Sequence, residues 1–520
     1  MPKTEIAMHR ASLNRRPPQS TGRKVFGLGI DYRTSEPLFP AVFAATFFAR
    51  LKEITKAVSS LRRSIDKQKK QTSRQTGERG LMMAPRTVDL NNPGEAGWTY
   101  LYSAQDPSIQ ENVAKLNEFA RHRLKRSTDL PDTGDNDTEL TKPLIYGGEN
   151  QSQWLDWLKG DYLKRTKKPK YILILGGPKD VPFGLQSLLS SIGCYVGRLS
   201  FDLPDDYGKY IDKVIELEGN KDGVVQREAY FFATDHGSND PTHYCRVNLV
   251  DPLIYYVKNV LGLPAHEPHG GKAIKQAFFP TKDLKSGLVF IAAHGLANAK
   301  EIEEDNGAIY CPAEERERCL QIKIERIART DFFSAIDIPQ NGEFYYGSAF
   351  FNFGCFSYGT PARSDIAPLV TGDRRKYHPT GFVAALPKKL LAHSSGPIAY
   401  IGHLDTAYLN GFIAPKTPRE LLGTKEFIGS YTSAVNSLLS AEPVGRALRN
   451  MNKEFVLYGQ NALDTYDDWN ANVDGLLRSL QVKKTSLQKR FIESWIRRNN
   501  TRNFMLLGDP GARLSIWKEE

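Results

Sequence analysis

Residues 288–293 read LVFIAA, and the next two residues are His294 and Gly295. A run of six apolar residues is too short for an independent helix. It also lacks the apolar–polar alternation of a strand with one wet face. Such a run, stopped by glycine, fits a strand buried on both faces of a parallel sheet. The same form recurs at 171–175 (YILIL, then Gly176 and Gly177), 230–234 (YFFAT), 349–353 (AFFNF, then Gly354 and Cys355) and 398–401 (IAYI), with WTYLY at 98–102 as a further strand. Helical patterns lie between several of them. Asp106, Pro107 and Ser108 supply a helix start, with Ile109, Val113, Leu116 and Phe119 at helical spacing behind it, and Trp154, Trp157 and Leu158 mark another amphipathic helix. Strands alternating with helices predict an α/β fold, a doubly wound, mostly parallel sheet flanked by helices. Beyond Phe412 the pattern turns mostly helical, most clearly over 443–458 and 486–498.

The chain has 520 residues, 40% hydrophobic, 11% aromatic and 25% charged, a mixture that buries a sizeable core and excludes a disordered protein. Net charge is +11, and part of the excess is concentrated at 51–80, where Lys56, Arg62, Arg63, Lys67, Lys69, Lys70, Arg74 and Arg79 outnumber the acids. Such a run reads first as a solvated helix face or surface segment. A short apolar helix is expected over 41–58, and the acidic, turn-rich stretch 127–141 is expected to be a surface loop. The first 18 residues, MPKTEIAMHRASLNRRPP, carry charge with no apolar stretch behind it, and the apolar segment 40–51 is too short to span a bilayer. The expectation is a soluble cytoplasmic protein with no membrane partner. The five cysteines, Cys194, Cys245, Cys311, Cys319 and Cys355, are odd in number and lack the spacing of a disulfide scaffold.

Reactive groups of open α/β sheets sit just past the carboxyl ends of the strands. Two strands here deliver such groups, His294-Gly295 after 288–293 and Gly354-Cys355 after 349–353. A thiol and an imidazole at neighbouring strand ends make a nucleophile and a general acid–base, because only the thiolate attacks and an imidazole lowers the thiol pKa. The glycines would let a substrate backbone approach, and the amides of Gly295 and Cys355 are the natural oxyanion donors. Singly, each feature has a bland reading: a cysteine at a strand end is more often a small buried hydrophobe. Their occurrence at two successive strand ends favours the catalytic reading. A competing imidazole, His236, follows 230–234 in Asp235-His236-Gly237, and on pattern alone His294 leads it only modestly.

From about Trp98 onward the chain resembles the gingipain-type peptidases of the caspase-like clan. The resemblance is carried by YILILGGPKDVPF (171–183), CYVGRLSF (194–201) with Asp212-Lys213 and Glu216 behind it, LVFIAAHG (288–295), AFFNFGC (349–355), FVAALPKKLLAHSSGPIAYIG (382–402) and a terminal NFMLLGDPGARL (503–514). It implies a caspase-like α/β fold, a Cys355–His294 dyad and endopeptidase activity on protein substrates. It assigns His236 to an earlier strand whose following loop helps form the specificity pocket. The chain departs from that family in four ways, the first being that the family's best-known members are secreted whereas no secretory signal is read here. His294 and Cys355 are 61 residues apart (355 − 294 = 61), longer than usual. The stretch between them, with Cys311 and Cys319, reads as an insertion. Gly354 stands where alanine is usual.

The loop after 230–234 reads DHGSNDPTHYCR, and by resemblance it lines the pocket for the residue before the scissile bond. Asp235 and Asp240 would there grip a substrate Arg or Lys. Both are equally readable as turn or cap residues, and Arg246 would instead suit an acidic substrate residue. A basic-specific protease could also cut its own 62–74 run, so residues 1–95 are expected to form a basic N-terminal region that is a candidate pro-segment. An α/β subdomain over 96–225, a catalytic subdomain over 226–425 and a helical portion over 426–520 follow. The resemblance makes plausible a triggered effector in bacterial stress or defence, with an activating protease or regulatory protein as partner. The rival readings are a catalytically inactive scaffold of the same fold and a basic nucleic-acid-binding protein, although no nucleic-acid-binding signature is present. No Walker A loop or dinucleotide fingerprint occurs, so no cofactor is expected. The cluster His243, Cys245, His266 and His269 fits no common zinc spacing, so no metal is expected either.

Overall fold

In the computed structural model the described residues are 24–25, 29–31 and 42–43, then 88–514 outside 107–108, 110, 126–142, 166, 220–226, 238–239, 269–274, 280–286, 298–305, 312–328, 366–376, 410–427 and 474–480. The 127–141 loop, the 51–80 run, His269 and Cys319 fall outside them. So does the helix expected over 41–58, except at Val42 and Phe43, which are in a strand.

The strands in chain order are β1 (Lys24–Val25), β2 (Gly29–Asp31), β3 (Val42–Phe43), β4 (Trp98–Ser103), β5 (Leu144–Tyr146), β6 (Tyr171–Leu175), β7 (Tyr195–Leu199), β8 (Ala229–Ala233), β9 (Ala265–His266), β10 (Leu288–Ala292), β11 (Gly295–Ala297), β12 (Ile309–Tyr310), β13 (Phe332–Phe333), β14 (Ala349–Phe353), β15 (Gly359–Pro361), β16 (Gly381–Val383), β17 (Ala399–His403) and β18 (Phe504–Gly508). Ten of them form one sheet in the order β5-β4-β6-β7-β18-β17-β14-β10-β8-β9. Every neighbouring pair is parallel except β17 with β18, which is antiparallel. The sheet is therefore mostly parallel, in two halves running opposite ways. Among the described residues no helix is long and apolar enough to cross a membrane.

The apolar runs form strands because they have faces to bury on both sides: all five residues of β6, β8, β10, β14, β17 and β18 are buried. One aromatic row runs across the half of the sheet that holds β8, β10 and β14. Phe231, Phe290 and Phe351 occupy paired positions on β8, β10 and β14, with ring centroids 5.7 and 5.1 Å apart, and Phe504 of β18 lies 5.2 Å from Phe351. Each such contact adds about 0.5–1.5 kcal/mol beyond burial and penalises a register slip.

The sequence reading missed β18. The helix Gln481–Asn503 runs straight into it, so the mostly helical C-terminal portion supplies the strand that joins the halves. The residue after β18 secures the joint. Asp509, fully buried, accepts from Trp98 Nε1 at 2.7 Å, donates its backbone N–H to the Tyr210 hydroxyl at 2.7 Å, and pairs with Arg123 at 2.5 Å. The terminal LLGDP thus ties the last strand to the N-terminal half.

Candidate active site

The β10/β14 ladder pairs Leu288 with Ala349 and Ala292 with Phe353, a constant offset of 61 (349 − 288 = 61; 353 − 292 = 61). Carried two residues past the ladder, that offset sets His294 beside Cys355. The long spacing in sequence is one strand register. Gly295 then packs directly on the nucleophile candidate: a Cβ there would lie 1.8 Å from the Cys355 carbonyl oxygen and 2.9 Å from its amide nitrogen. The glycine was expected to admit a substrate backbone; the space it leaves is taken by the neighbouring strand end. The same contact brings the Gly295 and Cys355 backbones, the expected oxyanion donors, side by side.

Cys355 begins a tight turn. Phe356, next in the chain, has φ 56°, and Asp405, which faces it across a Phe356 N–H to Asp405 carbonyl bond of 2.9 Å, has φ 75°. Left-handed backbone at bulky residues costs energy and persists only where surroundings enforce it. The Asp405 carboxylate does part of that enforcing, accepting from Thr406 N at 2.8 Å, Ser364 Oγ at 2.7 Å and Asp365 N at 3.2 Å. Burial raises its pKa to about 7. Cys355 Sγ accepts from the Ala407 amide at 3.1 Å, and the residue has no exposed surface.

His294, 4% exposed, presents Nε2 to both oxygens of Asp240, at 3.0 and 3.2 Å. Asp240 caps the short helix Pro241–Cys245, accepting from Thr242 N at 2.8 Å and Thr242 Oγ1 at 2.6 Å. Burial alone would raise this carboxyl, but the charge and hydrogen bond of His294, with lesser help from His236 and Thr242, hold it well below the usual carboxylate range. The pocket role expected for Asp240 does not fit this placement: its oxygens are spent on His294 and the cap, and it is 4% exposed. Asp-Pro-Thr is a legible N-cap signature, but the imidazole on that cap arrives from another strand.

Asp235 accepts from Gly237 N at 2.9 Å and lies 3.0 Å from His243 Nδ1, with its side chain 36% exposed. Arg246, the group that would have suited an acidic substrate, pairs with Asp251 at 2.6 Å and with Glu267. His236 follows β8, which lies on the far side of β10 from Cys355, so His294 is one strand nearer the thiol. Of the residues weighed for zinc, His266 pairs with Glu228 at 2.9 Å, His243 with Asp235, and Cys245 is buried. Among the described residues no group of three or more His, Cys, Asp or Glu is placed to hold a metal ion.

No protein-family model matches the chain, and no curated protein matches it. One solved structure, described as "Structure of Protease", is similar over 80% of this chain and 78% of its own, at 13% identity and a TM-score of 0.42.

Proposed function

We propose that the chain is a cysteine endopeptidase of the caspase–gingipain type. The observation that carries this reading is the register that sets His294 beside Cys355, with Asp240 behind the imidazole. Cys355 gives its proton to His294, and the thiolate attacks the scissile carbonyl carbon. The carbonyl oxygen takes up charge against the amides of Gly295 and Cys355. His294 returns the proton to the departing amine as the C–N bond breaks, leaving a thioester on Cys355. Water, losing a proton to His294, then attacks the thioester, and the acid product and thiol are released. Asp240 holds the Nε2–H and stabilises the imidazolium, as the buried carboxylate of a catalytic triad does.

Specificity for Arg or Lys before the scissile bond rests on Asp235, the half-exposed acid of the pocket loop, and on the engagement of Arg246 by two acids. Protein substrates follow from the reaction class.

Two observations support restraint of the site. Cys355 is wholly buried. Strand β2, from the basic N-terminal region, runs parallel to β11, with Gly29 opposite Gly295 and Asp31 opposite Ala297. An extended peptide recognised by strand addition needs free backbone edges, and this edge, immediately after His294, is taken. The N-terminal segment on this reading is a removable cover, and cleavage in the 62–74 run by this or another protease would free it for release.

The test uses the full chain, a form lacking residues 1–80, and Cys355→Ala in each, with fluorogenic peptides ending in Arg, Lys or Asp. Cleavage after Arg or Lys that the variant abolishes is the expected result. Cleavage only after Asp would overturn the pocket assignment. No cleavage by either form, with no labelling of Cys355 by a peptide-derived electrophile, would make the chain an inactive scaffold.

A further inference from the structure

Two imidazoles act on one carboxylate: His294 bonds Asp240 directly, and His236 reaches it by charge. The His236 ring stacks on His294 with centroids 5.7 Å apart and planes 8° from parallel, and Tyr310 lies 5.3 Å from His236. His236 is 5% exposed and Asp240 4%. The loop that carries His236 also builds the carboxylate's frame: His236 N donates to Thr242 Oγ1 at 3.1 Å, and that hydroxyl donates to Asp240 Oδ1. Tyr310 in turn donates its amide to the His294 carbonyl at 3.0 Å. Among the described residues, the groups facing His236 include His294 from the end of β10, Tyr310 from β12, and Asp240 from its own loop, with Asp235 beside it held by His243.

Like charges this close repel strongly in a buried setting, and one carboxylate neutralises only one of them. We infer that His236 is a positioning residue for His294: its ring fixes the plane of the His294 imidazole, and by acting on the same Asp240 it prevents both rings from holding an extra proton together. The two rings then titrate as a pair. Protonation of His236 makes His294 a poorer proton acceptor, so His236 sets the acidic limit of any chemistry His294 performs. The catalytic consequence rests on the peptidase reading; the coupling does not.

The test is histidine-selective NMR titration of the full chain, with signals assigned through His236→Phe and His294→Gln. Phe keeps the stacking and removes the charge. In the unmodified protein both rings should show two-step curves with shared inflections. In His236→Phe the His294 curve should become a single step, moved upward by roughly one pH unit or more. Independent single-step curves in the unmodified protein would overturn the inference even if the variant fails to fold. So would a His294 curve unmoved in His236→Phe. Where peptides are cleaved, the acid limb of kcat/KM should move with the His294 inflection. Coupled curves without any cleavage would sustain the pair and defeat the peptidase reading alone.

Discussion

The carbonyl oxygen of Cys355 occupies the place where a side chain on Gly295 would begin, 1.8 Å from an ideal Cβ. No flexible group stands there to give way, since the obstacle is backbone on both sides. Gly295→Ala should force β10 and β14 apart at their carboxyl ends and cost about 3 kcal/mol or more, read as a lower urea midpoint. An unchanged midpoint would mean that the two strand ends are not in this contact.

Asparagine caps a helix as well as aspartate does, so Asp240→Asn should leave the Pro241–Cys245 turn folded, within about 1 kcal/mol. It removes the charge behind His294. Peptide cleavage should fall about 100-fold or more in kcat with KM little changed. A variant that keeps kcat would reduce Asp240 to a cap.

Removal of residues 1–43 deletes β2 and exposes the β11 edge beside Gly295. If that strand competes with substrate, kcat/KM should rise about tenfold or more over the full chain. Adding back a peptide that spans Gly29–Asp31 should suppress the gain. Equal rates before and after trimming would assign β2 a structural role only.

Lys213 is buried on the helix Asp205–Gly219 and donates to the carbonyls of Leu391 and His393 at 2.8 and 2.7 Å. Burial pushes its ammonium down to about 7. The unfolded chain takes up this proton below its ordinary value of 10.5, whereas the folded chain does so only below about 7. The native state is therefore penalised in full below about 7, and stability should climb as pH rises from about 7 to about 10, by on the order of a few kcal/mol. Denaturant titrations across that window should show the slope, and Lys213→Met should flatten it. A slope that survives the substitution would place its source elsewhere.

The apolar runs at 171–175, 288–293 and 349–353 were enough to predict buried parallel strands, because a strand covered on both faces must be apolar at every position. The glycine-terminated ends carrying His294 and Cys355 were legible for the same reason. The sequence could not disclose β18, since FMLLG directly continues a helix and no turn residue separates them. It also could not give Asp240 its partner. The local signal for Asp-Pro-Thr is a cap, and only the adjacency of β8 and β10 brings a histidine 54 residues away in sequence onto it. Local composition thus determined the strands and the reactive ends. The pairing order, which depends on which faces and edges meet, decided that His294 adjoins Cys355, that Asp240 stands behind His294, and that the N-terminal β2 pairs with β11 just past His294.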